Sequence, residues 1–313
     1  MFYRGKNVLV TGGTGFIGSH LIEALLAENA RIRVPIHYRN LRVGADIVEE
    51  IPADLTRYDD CLLVLKGIDY VFHAAGAVGS AGVSPAGQMA LITENLLLAG
   101  NILRAAWESG TDRLLIYGSS TGYPDLLYPV CEDEMWVGPP HPAYLGYGWM
   151  RRYLEKMAEF VADRSDLKVA IARPTAIYGE WDDSEHVIPS LIRRSLSKEN
   201  PFILWGDGSE VRDLLHAADL ARGSLLLLEN HAVCDPVNIG YGTSSTISEA
   251  LGIILRLTEH EECEVVCDKT KPSTIPYRAV DTNKAKQLLH FMPQIPLREG
   301  LARAVSYYRR TAL

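Results

Sequence analysis

A cluster of glycines at the first strand-to-helix junction restricts the fold of this chain more than any other feature. Lys6 to Thr11 is a short apolar strand, and Phe16 to Glu28 carries Phe16, Ile17, Leu21, Leu25 and Leu26 at helical spacing. Between them runs Thr11-Gly12-Gly13-Thr14-Gly15-Phe16-Ile17-Gly18, in which Gly12, Gly15 and Gly18 make G-x-x-G-x-x-G. Glycine there permits a tight turn, close approach of a pyrophosphate and close packing of helix on sheet. The helix N-terminus behind the turn offers free N–H groups to phosphate. Alone, the triplet could be a simple loop. On the first turn of a βαβ chain it predicts a dinucleotide cradle made by Gly12, Thr14, Gly15, Phe16, Ile17 and Gly18.

The alternation continues. Strands are expected at Arg31–Ile36, Ile47–Ile51, Tyr70–Ala75, Arg113–Tyr117 and Lys168–Ala172, with long helices at Ala90–Ser109 and Tyr147–Arg164. Short buried strands between helices imply an α/β fold: a Rossmann-type, doubly wound parallel sheet covered on both faces. After Pro174 the rhythm loosens. Helices are expected at Val187–Leu196, Ala217–Asn230, Ser248–Glu259, Asp281–Leu289 and Leu297–Arg309, with a strand at Phe202–Trp205. The division predicted is a dinucleotide-binding domain over 1–174 and a smaller substrate-binding lobe over 175–313. That lobe is discontinuous, with segments returning to the sheet.

Charge narrows the partners. Lys plus Arg number 31 against 39 Asp plus Glu, a net charge of −8. A nucleic-acid binder carries the opposite balance, so no nucleic acid is expected, and an anionic ligand must be held by locally placed cations. Five scattered cysteines argue against a disulfide framework and for a reducing compartment. No apolar run reaches membrane-spanning length, and the start of the chain leaves no room for a signal peptide, so the expectation is a soluble, cytoplasmic protein.

The end of the second strand distinguishes cofactors. An NAD site places Asp or Glu there for the ribose 2′-OH. This sequence has Val34-Pro35-Ile36-His37-Tyr38-Arg39-Asn40-Leu41-Arg42, without an acid. Arg39 and Arg42 could clamp a 2′-phosphate, favouring NADP with NAD as the alternative, or could be solvated loop arginines. Asp54-Leu55 after the third strand could meet adenine, and Ala74-Ala75 after the fourth let backbone approach the cofactor.

Three further segments follow in order: Gly118-Ser119-Ser120-Thr121-Gly122-Tyr123-Pro124, Tyr147-Gly148-Trp149-Met150-Arg151, and Arg173-Pro174-Thr175-Ala176-Ile177-Tyr178-Gly179. With the glycine turn, they make the chain resemble the extended short-chain dehydrogenase/reductases, the nucleotide-sugar epimerases and dehydratases. Ser184 to Arg194, Trp205-Gly206-Asp207-Gly208 and Val211 to His216 are most similar to the GDP-L-fucose synthases, which epimerise and then reduce a GDP-4-keto-6-deoxy sugar with NADPH.

The resemblance implies roles residue by residue. Ser119 and Tyr147 match the pair that converges on the sugar oxygen, and Tyr147 would deliver the proton. A phenol is a poor base near neutrality, so a cation must assist. The family has Lys four residues on, one helical turn away; here that place holds Arg151, which keeps the charge in a bulkier, forked form. Tyr147 and Arg151 would also hold the cofactor, beside Pro174. His186 matches the family's acid/base His, or serves only to hydrogen-bond the sugar. The Cys that accompanies it in fucose synthases is replaced by Thr121, too weakly acidic for that task, which puts 3,5-epimerisation in doubt. Tyr144, Thr121, Val187, Arg194, Trp205 and Arg212 fall in the substrate region, with Arg212 expected on the diphosphate.

Cys263 and Cys267 are two thiols on an expected strand, two ligands do not close a zinc site, and the histidines lack H-x-x-x-H spacing, so no metal is predicted. Members of the family commonly pair through two long helices per subunit, so a homodimer through Ala90–Ser109 and Tyr147–Arg164 is expected. The reading is an NADP-dependent reductase or epimerase/reductase of a nucleotide-activated, GDP-linked, 4-keto-6-deoxy sugar. Its rivals are an NAD-dependent 4-epimerase or dehydratase with tightly held cofactor, and a non-catalytic nucleotide-sugar sensor, which Arg151 keeps open.

Overall fold

Runs such as Val8-Leu9-Val10, apolar at every position, suit strands with both faces covered. The structure is a computed structural model that describes residues 1–44, 46–79, 85–271 and 275–311. Strands β1 (Asn7–Thr11), β2 (Arg31–Ile36), β3 (Glu49–Pro52), β4 (Tyr70–His73), β5 (Arg113–Tyr117) and β6 (Lys168–Pro174) form most of a parallel sheet. Helices α1 (Phe16–Ala27), α2 (Tyr58–Val64), α3 (Pro85–Glu108) and α4 (Leu145–Arg164) connect them.

Beyond Pro174 come β7 (Ala176–Tyr178), α5 (Val187–Leu196), β8 (Phe202–Trp205), β9 (Val211–His216), α6 (Ala217–Asn230) and β10 (Val237–Ile239). Next are β11 (Ser244–Thr246), α7 (Ile247–Leu257), β12 (Val265–Asp268), β13 (Tyr277–Arg278), α8 (Asn283–Leu289) and α9 (Leu297–Thr311). The sheet order is β10-β6-β5-β4-β1-β2-β3, all parallel. The chain therefore winds one way through β2 and β3 and the other way from β4 onward. The crevice between the C-terminal ends of β1 and β4 is the switch point, where such sheets bind ligands.

Strand alternation builds two cores. Val8, Val10, Phe72 and Leu115 face Leu21, Leu25, Leu220 and Leu228, from α1 and α6. Leu9, Val71, Leu114 and Ile116 face Val64, Ile102 and Ala158, from α2, α3 and α4. A third core joins α5, α7 and α9 to β8 and β9 through Ile192, Phe202, Leu214, Ile254 and Leu301. Segments beyond 175 also return to the sheet: β10 pairs with β6, and α6 packs on α1.

Some boundaries differ from the sequence reading. The third strand lies at Glu49–Pro52, two residues later at its start than expected, and the first long helix begins at Pro85 rather than Ala90. Sequence periodicity missed α2 and the small strands β7, β9, β10, β11 and β13. Segments of two to seven residues hold too few positions for either period to register. No helix among the described residues is long and apolar enough to cross a membrane.

Candidate active site

The glycine turn sits at the switch point, and its geometry requires glycine. Gly12 has φ +68°, and a Cβ there would lie 2.7 Å from the Ala74 carbonyl carbon. At Gly18 a Cβ would lie 2.1 Å from the Gly12 carbonyl oxygen, so this residue sets how closely α1 approaches the turn. Gly15 caps α1 in extended conformation without a side chain in the way, leaving the first-turn N–H groups of Phe16, Ile17 and Gly18 facing outward. The β4 end is tied to the turn: Thr11 Oγ1 lies 2.8 Å from His73 Nδ1 and accepts from the Ala75 N–H at 3.1 Å. A turn with no room for a Cβ at Gly12 or Gly18, backed by a helix N-terminus with no acid in its first turn, fits a dinucleotide pyrophosphate.

Arg39 and Arg42 do converge, but on a protein carboxylate. Arg39 Nη1 and Arg42 Nη2 donate to the same oxygen, Asp183 Oδ2, at 2.8 and 2.9 Å. Asp54 is fixed at the end of β3 by the Thr56 hydroxyl (2.7 Å) and N–H (3.0 Å), which hold its carboxyl below the usual range. Leu55 beside it is buried. Pro174 ends β6 and is half-buried.

Ser119, Tyr147 and Arg151, three of the four residues expected from sequence to be catalytic, lie near the C-terminal end of β5, whereas His186 stands apart at the start of α5. Ser119 follows β5 and opens a 3-10 turn over Ser120–Gly122; its Oγ accepts from the Thr121 N–H at 3.2 Å and lies 2.7 Å from Thr121 Oγ1. Tyr147 stands in the first turn of α4. Arg151, one turn on, reaches back to its hydroxyl with Nε at 3.0 Å and Nη2 at 2.5 Å. Arg151 Nη1 donates to the Tyr117 carbonyl (3.2 Å), and Nη2 lies 3.5 Å from Asn95 Oδ1. The guanidinium thus ties α4 to the strand end two residues before Ser119. Asn95 is buried, with its Nδ2 donating to the Ala77 and Leu91 carbonyls at 2.8 Å. Gly76 leaves room beside it, since a Cβ there would fall 2.8 Å from Asn95 Oδ1. Sequence reasoning did not single out Asn95, because nothing local marks it.

A second cationic centre lies on the lobe. Arg212 in β9 is buried, and β13 pairs alongside with Arg278 directly opposite it. Loss of solvent, and then the Arg278 charge, push the Arg212 guanidinium down to about 10. Arg278 is likewise lowered by burial, and its Nε has no hydrogen-bond partner among the described residues. Two adjacent guanidiniums, Arg212 buried and Arg278 half-buried, repel each other, and an anion bound between them would relieve that repulsion. Arg278 was not legible in the sequence: a two-residue strand brings it beside Arg212. Tyr144, the N-cap of α4, places its ring 6.0 Å from the Arg278 guanidinium and so joins the two centres.

The other residues expected in the substrate region are placed less uniformly. His186 caps α5, and Val187 is its first residue; both are exposed. Trp205 ends β8, half its surface open, with Lys271 Nζ 5.8 Å from its ring. Arg194 is occupied structurally: Nε and Nη2 bind the two Glu199 carboxylate oxygens at 2.7 and 2.5 Å, and the guanidinium stacks 4.4 Å from Phe202.

Buried charges hold the frame. Arg173 and Glu155 form a bidentate pair at 3.0 and 2.7 Å, both side chains almost sealed from solvent, and Arg173 Nη1 also donates to the Glu132 carbonyl and Tyr123 hydroxyl. Glu180 Oε2 lies 3.1 Å from His216 Nε2 and 3.9 Å from His20 Nε2, linking α1 to β9.

The chain as a whole is similar to known proteins. The chain is 28% identical to "Probable GDP-L-fucose synthase 1" of Oryza sativa subsp. japonica, over 97% of its own length and 92% of the relative's. It is 27% identical to a dTDP-4-dehydro-6-deoxy-D-allose reductase of a Streptomyces species, over 98% and 97%. Among solved structures it superposes on a UDP-glucose 4-epimerase of Thermotoga maritima with a TM-score of 0.87 at 25% identity, covering 98% of this chain and 100% of that one. Residues 8–240 match the NAD dependent epimerase/dehydratase family. With its switch-point glycine cradle and the Ser119–Tyr147–Arg151 group beside it, the chain belongs to that family, nucleotide-sugar enzymes of the extended short-chain dehydrogenase/reductase type.

Proposed function

We propose that the protein reduces the 4-keto group of a nucleotide-activated 6-deoxy sugar, GDP-linked, with NADPH. The observation that carries the reading is the Arg151–Tyr147 pair at the open end of the sheet beside Ser119, with Arg212 and Arg278 on the lobe. A nicotinamide cofactor held at the glycine turn would supply the hydride for the sugar C4. Tyr147 gives its hydroxyl proton to O4, Ser119 Oγ steadies that oxygen, and Arg151 balances the charge left on the phenol. Arg212 and Arg278 hold the diphosphate, and Tyr144, His186, Val187 and Trp205 bound the sugar and base. Gly12, Thr14, Gly15, Phe16, Ile17 and Gly18 hold the pyrophosphate. Asp54, Leu55, Ala74, Ala75 and Pro174 border the rest of the dinucleotide, while Arg39 and Arg42 take the 2′-phosphate. Residues 1–174 thus form the dinucleotide-binding domain, which also carries Ser119, Tyr144 and Tyr147, and 175–313 the substrate-binding lobe.

Thr121 favours reduction without 3,5-epimerisation. Its hydroxyl is engaged with Ser119 Oγ, and it is too weakly acidic to exchange a carbon-bound proton. The same chain works as a homodimer: α3 and α4 lie side by side and leave Met89, Leu97, Tyr153 and Phe160 exposed, an apolar face suited to a symmetric partner.

The test is NADPH consumption with GDP-4-keto-6-deoxymannose. Stoichiometric oxidation with formation of a 6-deoxyhexose supports the reading. A second reading, NAD held as a transient oxidant, is favoured by one observation: Asp183 already engages Arg39 and Arg42. It predicts epimerisation or dehydration with no net change in nicotinamide absorbance.

A further inference from the structure

The end of β2 lacks an acid in sequence, yet one reaches it in space. Asp183 lies between β7 and α5, and its Oδ2 receives both Arg39 Nη1 (2.8 Å) and Arg42 Nη2 (2.9 Å). Two guanidiniums meeting at one anionic oxygen is also how they would meet an oxygen of a phosphate monoester. The backbone on either side is pinned. Glu180 faces buried His216 at 3.1 Å, and Trp181 packs on His20 with ring centroids 4.6 Å apart. The Trp181 carbonyl accepts from Arg42 Nη1 at 2.5 Å. Asp182 is buried, its carboxylate accepting from the Ser184 N–H and its carbonyl from the Tyr308 hydroxyl. Between Glu180 and Ser184 the exposed side chain is that of Asp183, 55% open, so it can rotate away while its neighbours stay in place.

We infer that Asp183 is a built-in counter-ion of the 2′-phosphate subsite: it neutralises Arg39 and Arg42 when that subsite is free, and the cofactor's 2′-phosphate displaces it. The inference rests on the reading of Arg39 and Arg42 as the phosphate pair. Its consequence is that Asp183 sets the preference between the two nicotinamide cofactors. A 2′-phosphorylated adenosine must break two ion pairs to bind, whereas adenosine with a free 2′-OH need not. The pairs are largely exposed, so the penalty is modest and the phosphate, with its greater charge, can overcome it.

Calorimetry of the full chain with 2′,5′-ADP and with 5′-AMP separates the possibilities. Asp183→Asn is expected to tighten 2′,5′-ADP by about three- to tenfold and leave 5′-AMP unchanged; Asp183→Ala carries the same expectation should the first variant fail to fold. The double variant Arg39→Ala/Arg42→Ala is expected to weaken 2′,5′-ADP selectively. If the arginine variant loses 2′,5′-ADP but Asp183→Asn binds it no tighter, the counter-ion role is overturned and the phosphate pair stands. Equal weakening of both ligands by Asp183→Asn would make the residue a structural clip. Selective weakening of 5′-AMP would make it a ribose-binding acid instead. Either result overturns the inference. If the arginine variant binds 2′,5′-ADP as before, the phosphate reading fails and the inference falls with it.

Discussion

Arg151 holds the Tyr147 hydroxyl through two nitrogens, Nε at 3.0 Å and Nη2 at 2.5 Å, from one turn further along α4. Tyr147→Phe is expected to cut turnover by about a hundredfold or more with substrate binding little changed, read as kcat against KM. Arg151→Lys is expected to retain activity, since an ammonium one turn from Tyr147 still supplies charge. Arg151→Met removes it and should match the loss in Tyr147→Phe. Complete inactivity of the Lys variant, with cofactor still bound, would assign the fork itself a role, holding Tyr117 and Asn95 as well as Tyr147.

Arg212 and Arg278 face each other across β9 and β13. Removing either to Ala is expected to raise the KM for the nucleotide sugar by about ten- to a hundredfold, with kcat less affected, because a charge-assisted contact to the diphosphate is lost. The free protein should behave oppositely. With like charge relieved, Arg278→Met is expected to melt no lower than the parent, which differential scanning calorimetry would show.

Gly18 separates packing from chemistry. A Cβ there would press against the Gly12 carbonyl, so Gly18→Ala is expected to destabilise the fold by about 1–3 kcal/mol and to abolish tight dinucleotide binding. At Gly15 a Cβ would stand 3.1 Å from the same oxygen, and Gly15→Ala should cost less stability. Urea unfolding and cofactor titration of the two variants together check the ordering.

Acid should weaken the fold through buried histidines. Burial pushes His20 from 6.5 down to about 4, with Glu180 opposing, and pushes His73 down to about 3, aided by the Arg151 charge. The unfolded chain therefore takes up protons near pH 6.5 that the folded chain refuses. Stability from these groups is complete above about pH 6.5 and falls as pH drops toward 4 and 3, by up to about 1.4 kcal/mol per pH unit for each. Glu180 adds to the loss at lower pH. Burial raises its carboxyl, but its bond to His216 and the nearby charges hold it at about 2, so its contribution disappears between 4.5 and 2. Urea midpoints at pH 7.5, 6 and 5 should decline for the parent and decline less for His73→Asn.

The Glu155–Arg173 pair joins α4 to β6 inside the protein. Glu155→Gln leaves Arg173 charged in a nearly sealed site and is expected to destabilise by about 3–5 kcal/mol. Replacing both partners with apolar residues should recover much of the loss, which a thermal-melt comparison of the single and double variants would reveal.

What the sequence determined by itself was the sheet, the glycine turn at its switch point and the Tyr147–Arg151 pair. The glycine turn fixes where phosphate can approach, because only residues without a Cβ fit against Ala74 and Gly12. The spacing of Tyr147 and Arg151 fixes their meeting, because four residues make about one helical turn. What tertiary structure decided were the pairings made across long stretches of chain. Arg278 stands beside Arg212 only because β13 pairs with β9, and Asp183 reaches Arg39 and Arg42 only because the lobe folds back over the end of β2. Arg194 matched a substrate segment in sequence, and the fold commits it to Glu199 and Phe202. Local spacing carries information as far as one helix turn or one strand. A charge's partner, when it comes from another layer, is chosen by packing, and packing leaves no period in the sequence.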